Sequence, residues 1–146
     1  MTTKTYLQQI RRYKRMIENK STEIFKLRQM ACGLSIKPQE IRVQTSSEPD
    51  RIGSTVAKIV DLENEIDAVV KIYIEKRNVI IEQIENLGDD AESIENIDVL
   101  TCRFVNDMDF KHIPDAVSMS RRKMFYVYGR ALDAFEKKYG KEYRKT

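Results

Sequence analysis

Tryptophan is absent from this 146-residue chain, histidine occurs once, and there are only two cysteines, five glycines and three prolines. A single His112 with Cys32 and Cys102, seventy positions apart, cannot supply a three-histidine metal site, a CxxC pair or a zinc knuckle, so no metal is expected. The scarcity of glycine and proline excludes a loop-rich or turn-rich β protein and disfavours the sheet-based nucleotide folds. No apolar run approaches the ~20 residues that span a bilayer, and no basic-then-apolar leader opens the chain. A cytoplasmic protein with reduced thiols and no membrane partner is the expectation.

Catalytic motifs are missing as well. There is no phosphate-cradling glycine loop, no GxSxG, and no cysteine close in sequence to the histidine. His112 lies between Asp109 and Asp115 and could be an oriented base, but a surface histidine is the simpler account. Glu63, Glu65 and Asp67 could evoke a two-metal nuclease, yet they fit the solvated side of a long helix better. Neither an enzyme nor a cofactor is expected.

What is present is 41% apolar and 34% charged residues, enough core formers for one domain or one domain with a small module. The formal charge of +3 hides a block pattern. Residues 1–33 carry eight basic and two acidic side chains, 61–100 three basic and twelve acidic, and 120–146 nine basic and three acidic. The first two blocks are expected to attract one another, leaving the last for a polyanion.

From 3 to 32 the apolar residues Tyr6, Ile10, Tyr13, Ile17, Ile24, Leu27 and Ala31 keep a heptad with Lys20 out of place, which predicts one long amphipathic helix. Gly33 supplies a stop, and 34–47, with Pro38 and the run Gln44-Thr45-Ser46-Ser47, reads as a long connection with a weak β excursion at 41–43. A second helix opens at Ser47-Glu48-Pro49-Asp50, where Ser47 can cap and Asp50 can return the bond. It runs through Val56, Ile59, Leu62, Ile66, Val69, Tyr73, Ile80, Ile84 and Leu87 to Gly88, roughly 38 residues or about 55 Å.

Each helix has one stripe to bury, so the economical arrangement is a long antiparallel, coiled-coil-like hairpin. Arg11, Arg12, Lys14 and Arg15 would then meet Glu82, Glu85, Asp89 and Asp90. Heptads alone leave open whether the hairpin closes within one chain or is shared in a homodimer. The Arg11-Arg12-Tyr13-Lys14-Arg15 run could also be a nucleic-acid patch, but Tyr13 at a core position favours an intramolecular or solvated face.

Past Gly88, Ile94, Ile97, Leu100, Phe104 and Val105 predict a third, shorter helix that Asp107 and Asp109 break. Then come a segment over 110–117, a turn at Ser118-Met119, and a final helix from Ser120 to about Tyr139 with Met124, Val127, Ala131, Leu132 and Phe135 on one side. This is a helix-turn-helix pattern. The fold class expected is all-α, divided into a hairpin over 1–88 and a helix-turn-helix module over 89–146.

The stretch Val43-Gln44-Thr45-Ser46-Ser47-Glu48-Pro49-Asp50, followed by Ala57-Lys58-Ile59-Val60-Asp61-Leu62-Glu63-Asn64-Glu65-Ile66, resembles the N-terminal half of small phage-encoded regulators. These are the ArpU-like and sigma-like late-gene activators of Gram-positive phages. The C-terminal half, Phe110-Lys111-His112-Ile113 through Ser120-Arg121-Arg122-Lys123-Met124 to Arg130-Ala131-Leu132, is similar to region 4 of sigma-70 factors, whose helix-turn-helix reads the promoter −35 element. The resemblance implies a transcription regulator, an activator of late genes, that binds double-stranded promoter DNA and contacts RNA polymerase or another subunit in the host cytoplasm. It implies that Phe110 and Ile113 anchor the supporting helix and that Ser120 opens the recognition helix. Arg121, Arg122, Phe125 and Tyr126 would meet the major groove, with Lys123 and Arg130 on phosphates.

Tyr126 and Tyr128 can equally be packing residues, and Lys137, Lys138, Lys141, Arg144 and Lys145 read as a diffuse basic tail. Two positions depart from the family. Pro114 replaces a small residue, so the supporting helix either starts late or is distorted. Ser118 replaces a turn glycine, which is free of cost only at negative φ. Phe125 and Tyr126, aromatic where polar groups are usual, leave open a surface that contacts protein, such as RNA polymerase, instead of DNA. A separate alternative is a non-DNA-binding adaptor in which the hairpin is the working surface.

Overall fold

The computed structural model describes residues 1–33 and 48–145. The connection over 34–47, its β excursion and the capping box built on Ser47 lie outside the described residues. Among those described, every regular element is helical and no strand occurs: α1 Thr3–Leu7, α2 Gln9–Gly33, α3 Glu48–Glu85, α4 Ala91–Leu100, α5 Ile113–Ala116 and α6 Arg121–Arg144. The chain is all-α, and no helix among the described residues is long and apolar enough to cross a membrane.

The boundaries follow from local chemistry. Thr2 caps α1 by accepting the Thr5 amide at 3.2 Å. The helix expected over 3–32 is interrupted at Gln8, where the chain stays near helical dihedrals before α2 begins. α3 has the expected 38 residues, although its last helical residue is Glu85. Gly88, at φ 156°, then turns the chain into α4, and a Cβ there would sit 2.5 Å from Ser93 Oγ, so only glycine fits. α4 widens into one π-helical turn, Thr101–Val105, before Asp107 at φ 53° ends it. The last helix runs five residues beyond Tyr139, through Gly140.

The chain divides into two compact units, one of Met1–Arg12 with Tyr73–Thr146 and one of Tyr13–Ile72. In the first, Leu7, Ile10, Ile80, Ile84, Leu100, Phe104, Ala131, Phe135 and Tyr143 form one buried cluster. Residues from both sides of position 88 therefore share a core, so 89–146 does not pack by itself. Tyr6 and Tyr143 stack at 4.5 Å between centroids, and the Thr3 and Tyr143 hydroxyls meet at 2.7 Å in a buried position. Tyr6 also donates to Gln83 Oε1 at 2.8 Å. Burial pushes the Tyr6 phenol up, partly offset by that bond.

In the second unit Ile24 and Leu27 are buried as the heptad predicts. Lys20, out of place in that heptad, reaches Glu65 at 2.7 Å, and Arg28 reaches Glu63 at 2.6 Å. The expected pairing of Arg11 with the carboxylates at the end of α3 does not form. Its guanidinium takes Asp107, a residue at φ 53°, at 3.3 Å instead.

Phe135 is fully buried and within 6.3 Å, centroid to centroid, of Tyr6, Tyr139 and Tyr143. Phe135→Ala is therefore expected to cost about 3–5 kcal/mol in a urea titration. Tyr143→Phe, which strands the buried Thr3 hydroxyl, should cost about 1–3 kcal/mol.

Candidate nucleic-acid interface

The first half of α6 is seated by a second buried cluster of Val99, Ile113, Met124 and Val127, with Phe110, Val117 and Met119 packed against it. Met124, Val127, Ala131 and Phe135 all face inward, at the 3–4-residue spacing that one helix face requires. Ile113 is fully buried, whereas Phe110 is half-buried and precedes α5, packing against that cluster from outside the helix. Tyr128 is half-buried, edge-on to Phe110 at 5.1 Å and stacked near Phe104, so it is a packing residue, and burial raises its phenol pKa.

α5 is a single turn. Pro114 stands in its first turn, where no amide donor is needed, so the helix starts late and is not kinked. It ends in a Schellman motif: the Met119 amide donates to Pro114 O at 2.9 Å and the Ser118 amide to Asp115 O at 3.4 Å. Ser118 occupies the left-handed position of that motif at φ 55°, contrary to the negative φ that a serine needs to avoid strain. Ser120 caps α6, its Oγ accepting the Lys123 amide at 3.2 Å.

The residues expected to meet DNA divide into two groups. Arg121 and Arg122 are exposed on the first turn and have no acidic partner among the described residues. The Arg121 guanidinium lies 5.7 Å from the ring of Phe125, which is 39% exposed, and Tyr126 is 68% exposed. Lys123 and Arg130 are instead held by α4. Lys123 Nζ reaches Glu95 at 2.9 Å. Arg130 reaches Glu92 at 3.2 Å and Glu95 at 3.5 Å, and donates to Asn96 Oδ1 at 3.0 Å and to Glu92 O at 3.2 Å. The Lys123 bond and, after it, the nearby Arg130 hold the Glu95 carboxyl below the usual glutamate range.

Glu92, Asn96, Phe125, Tyr126, Arg130 and Asp133 line an open groove of about 700 Å³ between α4 and α6. Farther along α6, Arg144 pairs with Glu136 and Lys138 donates to Asn86 O, so part of the basic tail is also spoken for. Glu92, Glu95 and Asn96 were not among the expected site residues. Their i, i+3, i+4 spacing on one helix, opposite cations seven apart on another, is the sequence signal that could have found them. Glu63 and Glu65, considered for metal binding, are the partners of Arg28 and Lys20. Cys102 is half-buried, and its thiol pKa is raised by burial and then by Asp98. Among the described residues no three His, Cys, Asp or Glu side chains converge as metal ligands would.

No family model, no curated protein and no solved structure matches the chain.

Ser118→Gly should raise stability by up to about 1 kcal/mol, since it relieves the left-handed strain at some entropic cost. Pro114→Ala should lower it by about 0.4–1 kcal/mol, because a proline already in helical geometry stabilises through the unfolded state. Thermal melts of both variants read these opposite signs.

Proposed function

We propose that this chain is a DNA-binding transcription regulator, an activator of late genes of the phage type, acting by recruitment and not by catalysis. In this reading α5, the Ser118 turn and α6 are a helix-turn-helix, with α6 the recognition helix. α2 and α3 are a helical hairpin that contacts RNA polymerase or a second subunit in the host cytoplasm. The order of the two α2–α3 ion pairs supports an antiparallel hairpin, since the residue numbers rise on α2 and fall on α3.

One observation carries the DNA reading. Among the described residues, Arg121 and Arg122 stand exposed and unpaired by carboxylates on the first turn of a helix whose opposite face is fully buried. Arginine at that position can make bidentate bonds to guanine edges, and the neighbouring Phe125 offers apolar contact to a thymine methyl. Lys137 and Lys141 would add sequence-independent phosphate attraction.

A second reading is a protein-binding adaptor. It is favoured by the exposed Phe125 and Tyr126 and by the internal pairing of Lys123 and Arg130, which leaves this face less basic than its composition. Selection of bound fragments from a random duplex pool, followed by anisotropy titration between about 50 and 200 mM salt, separates the two. A DNA reader loses affinity steeply with salt. Arg121→Ala and Arg122→Ala should each cost about 1–3 kcal/mol and relax sequence preference. Unchanged affinity and preference in the double variant would sink the assignment, and a folded protein that binds no duplex at low salt would favour the adaptor.

A further inference from the structure

The side chains that hold Lys123 and Arg130 are carboxylates, which offer a cation the same charged oxygen acceptors as a phosphate. They belong to an acidic run, Asp89, Asp90, Glu92, Glu95 and Asp98, in which no basic residue occurs. The contacts are open to exchange. The Lys123 side chain is 55% exposed, so an external anion can approach it. The two cations are held differently. Among the described residues Lys123 has the Glu95 carboxylate alone as a charged partner, whereas Arg130 is only 22% exposed and is also bonded to Asn96 and to a backbone carbonyl of α4. Glu95, which contacts both, is held ionised by them.

Resting on the DNA-binding reading above, we infer that Glu92 and Glu95 are an internal competitor for DNA phosphate: they occupy Lys123 and Arg130 when the duplex is absent and oppose its docking along α6. The acidic face of α4 is thus an autoinhibitory contact. A duplex seated on Arg121 and Arg122 would bring phosphates beside Lys123, which has to leave Glu95 to meet them. Glu95 would then face the duplex without Lys123, adding repulsion to the lost pair. Arg130, tied by its neutral bonds as well, stays on α4 and keeps α6 seated. Binding would accordingly be weak at rest and would strengthen whenever a basic partner covered α4.

The test uses the full chain and a duplex recovered by selection. Glu92→Gln/Glu95→Gln should bind roughly three- to tenfold more tightly than the wild type in about 100 mM salt, given exposed pairs of ordinary strength. Its plot of log affinity against log salt should steepen by about 0.9 for each cation released to phosphate. Lys123→Gln added to the Glu92→Gln/Glu95→Gln background should remove most of its gain, a larger loss than the same substitution causes in the wild type, which is the coupling that competition requires. Glu95→Gln alone keeps the Glu92–Arg130 and Asn96–Arg130 contacts and serves as the second variant if the double one melts early. Wild-type affinity and slope in a folded Glu95→Gln protein overturn the inference. If Arg121→Ala/Arg122→Ala still abolishes binding in that case, the DNA reading stands without it. Absence of duplex binding by both wild type and Glu95→Gln at low salt removes the DNA reading and the inference together.

Discussion

The Thr3 and Tyr143 hydroxyls meet at 2.7 Å in a buried position, beside the stacked rings of Tyr6 and Tyr143. These residues are separated by almost the whole chain, so closing them together removes a large amount of chain entropy. The contact persists because it lies on a cluster that also buries Leu7, Phe135 and Ala131 completely, and aromatic pairs add to plain area burial. A hydroxyl pair in such surroundings is costly to break on one side only, which ties the start of the chain to the end of α6. Which face of α6 remains exposed is set by this thoroughly occupied opposite face.

α6 is held at two places by different partners. Its second half packs on α1, the beginning of α2 and the end of α3, and its first half on α4 and α5. Tyr128 belongs to the fringe of both clusters, with Phe104 on one side and Phe110 on the other. A 24-residue helix spans about 36 Å, so the two seats fix its direction more firmly than one could. Arg130 is a polar fastener between them, joining α6 to α4 through two carboxylates, an amide and a carbonyl. The Schellman end of α5 and the Ser120 cap then set where the first turn of α6 begins, and with it where Arg121 and Arg122 point.

The helices were legible in the sequence because burial of one stripe imposes a period that survives in the residue order. The 38-residue length of α3, the Ser120 start of α6 and its inward Met124, Val127 and Phe135 all follow from that period. What was not legible depends on contacts between distant segments. Tyr6, Phe135 and Tyr143 gather in one cluster, but nothing local announces that the first helix closes the last one. The π turn at 101–105 and the left-handed Ser118 are backbone solutions chosen by packing, and the residues there have no preference for them. At the candidate site, Arg121 and Arg122 are as exposed as the pattern implies. Lys123 and Arg130 carry the same charge in sequence, and nothing local shows that α4 lies alongside and pairs them.

That difference bears on how charge in a sequence is to be read. Counting along the chain assigns the acidic block to the N-terminal basic block and leaves the C-terminal one unmatched. The structure distributes the pairs more widely. Arg11 goes to Asp107, Lys20 to Glu65 and Arg28 to Glu63, while Lys123, Arg130 and Arg144 find Glu95, Glu92 and Glu136. The C-terminal block is therefore partly neutralised by residues before it and within it, and its free cations are fewer than its composition indicates. Electrostatic attraction acts over about 10 Å at moderate salt, so what an approaching polyanion meets is the charge of a face. Among the described residues, the cations of this face without carboxylate partners begin with Arg121 and Arg122, while α4 holds Lys123 and Arg130.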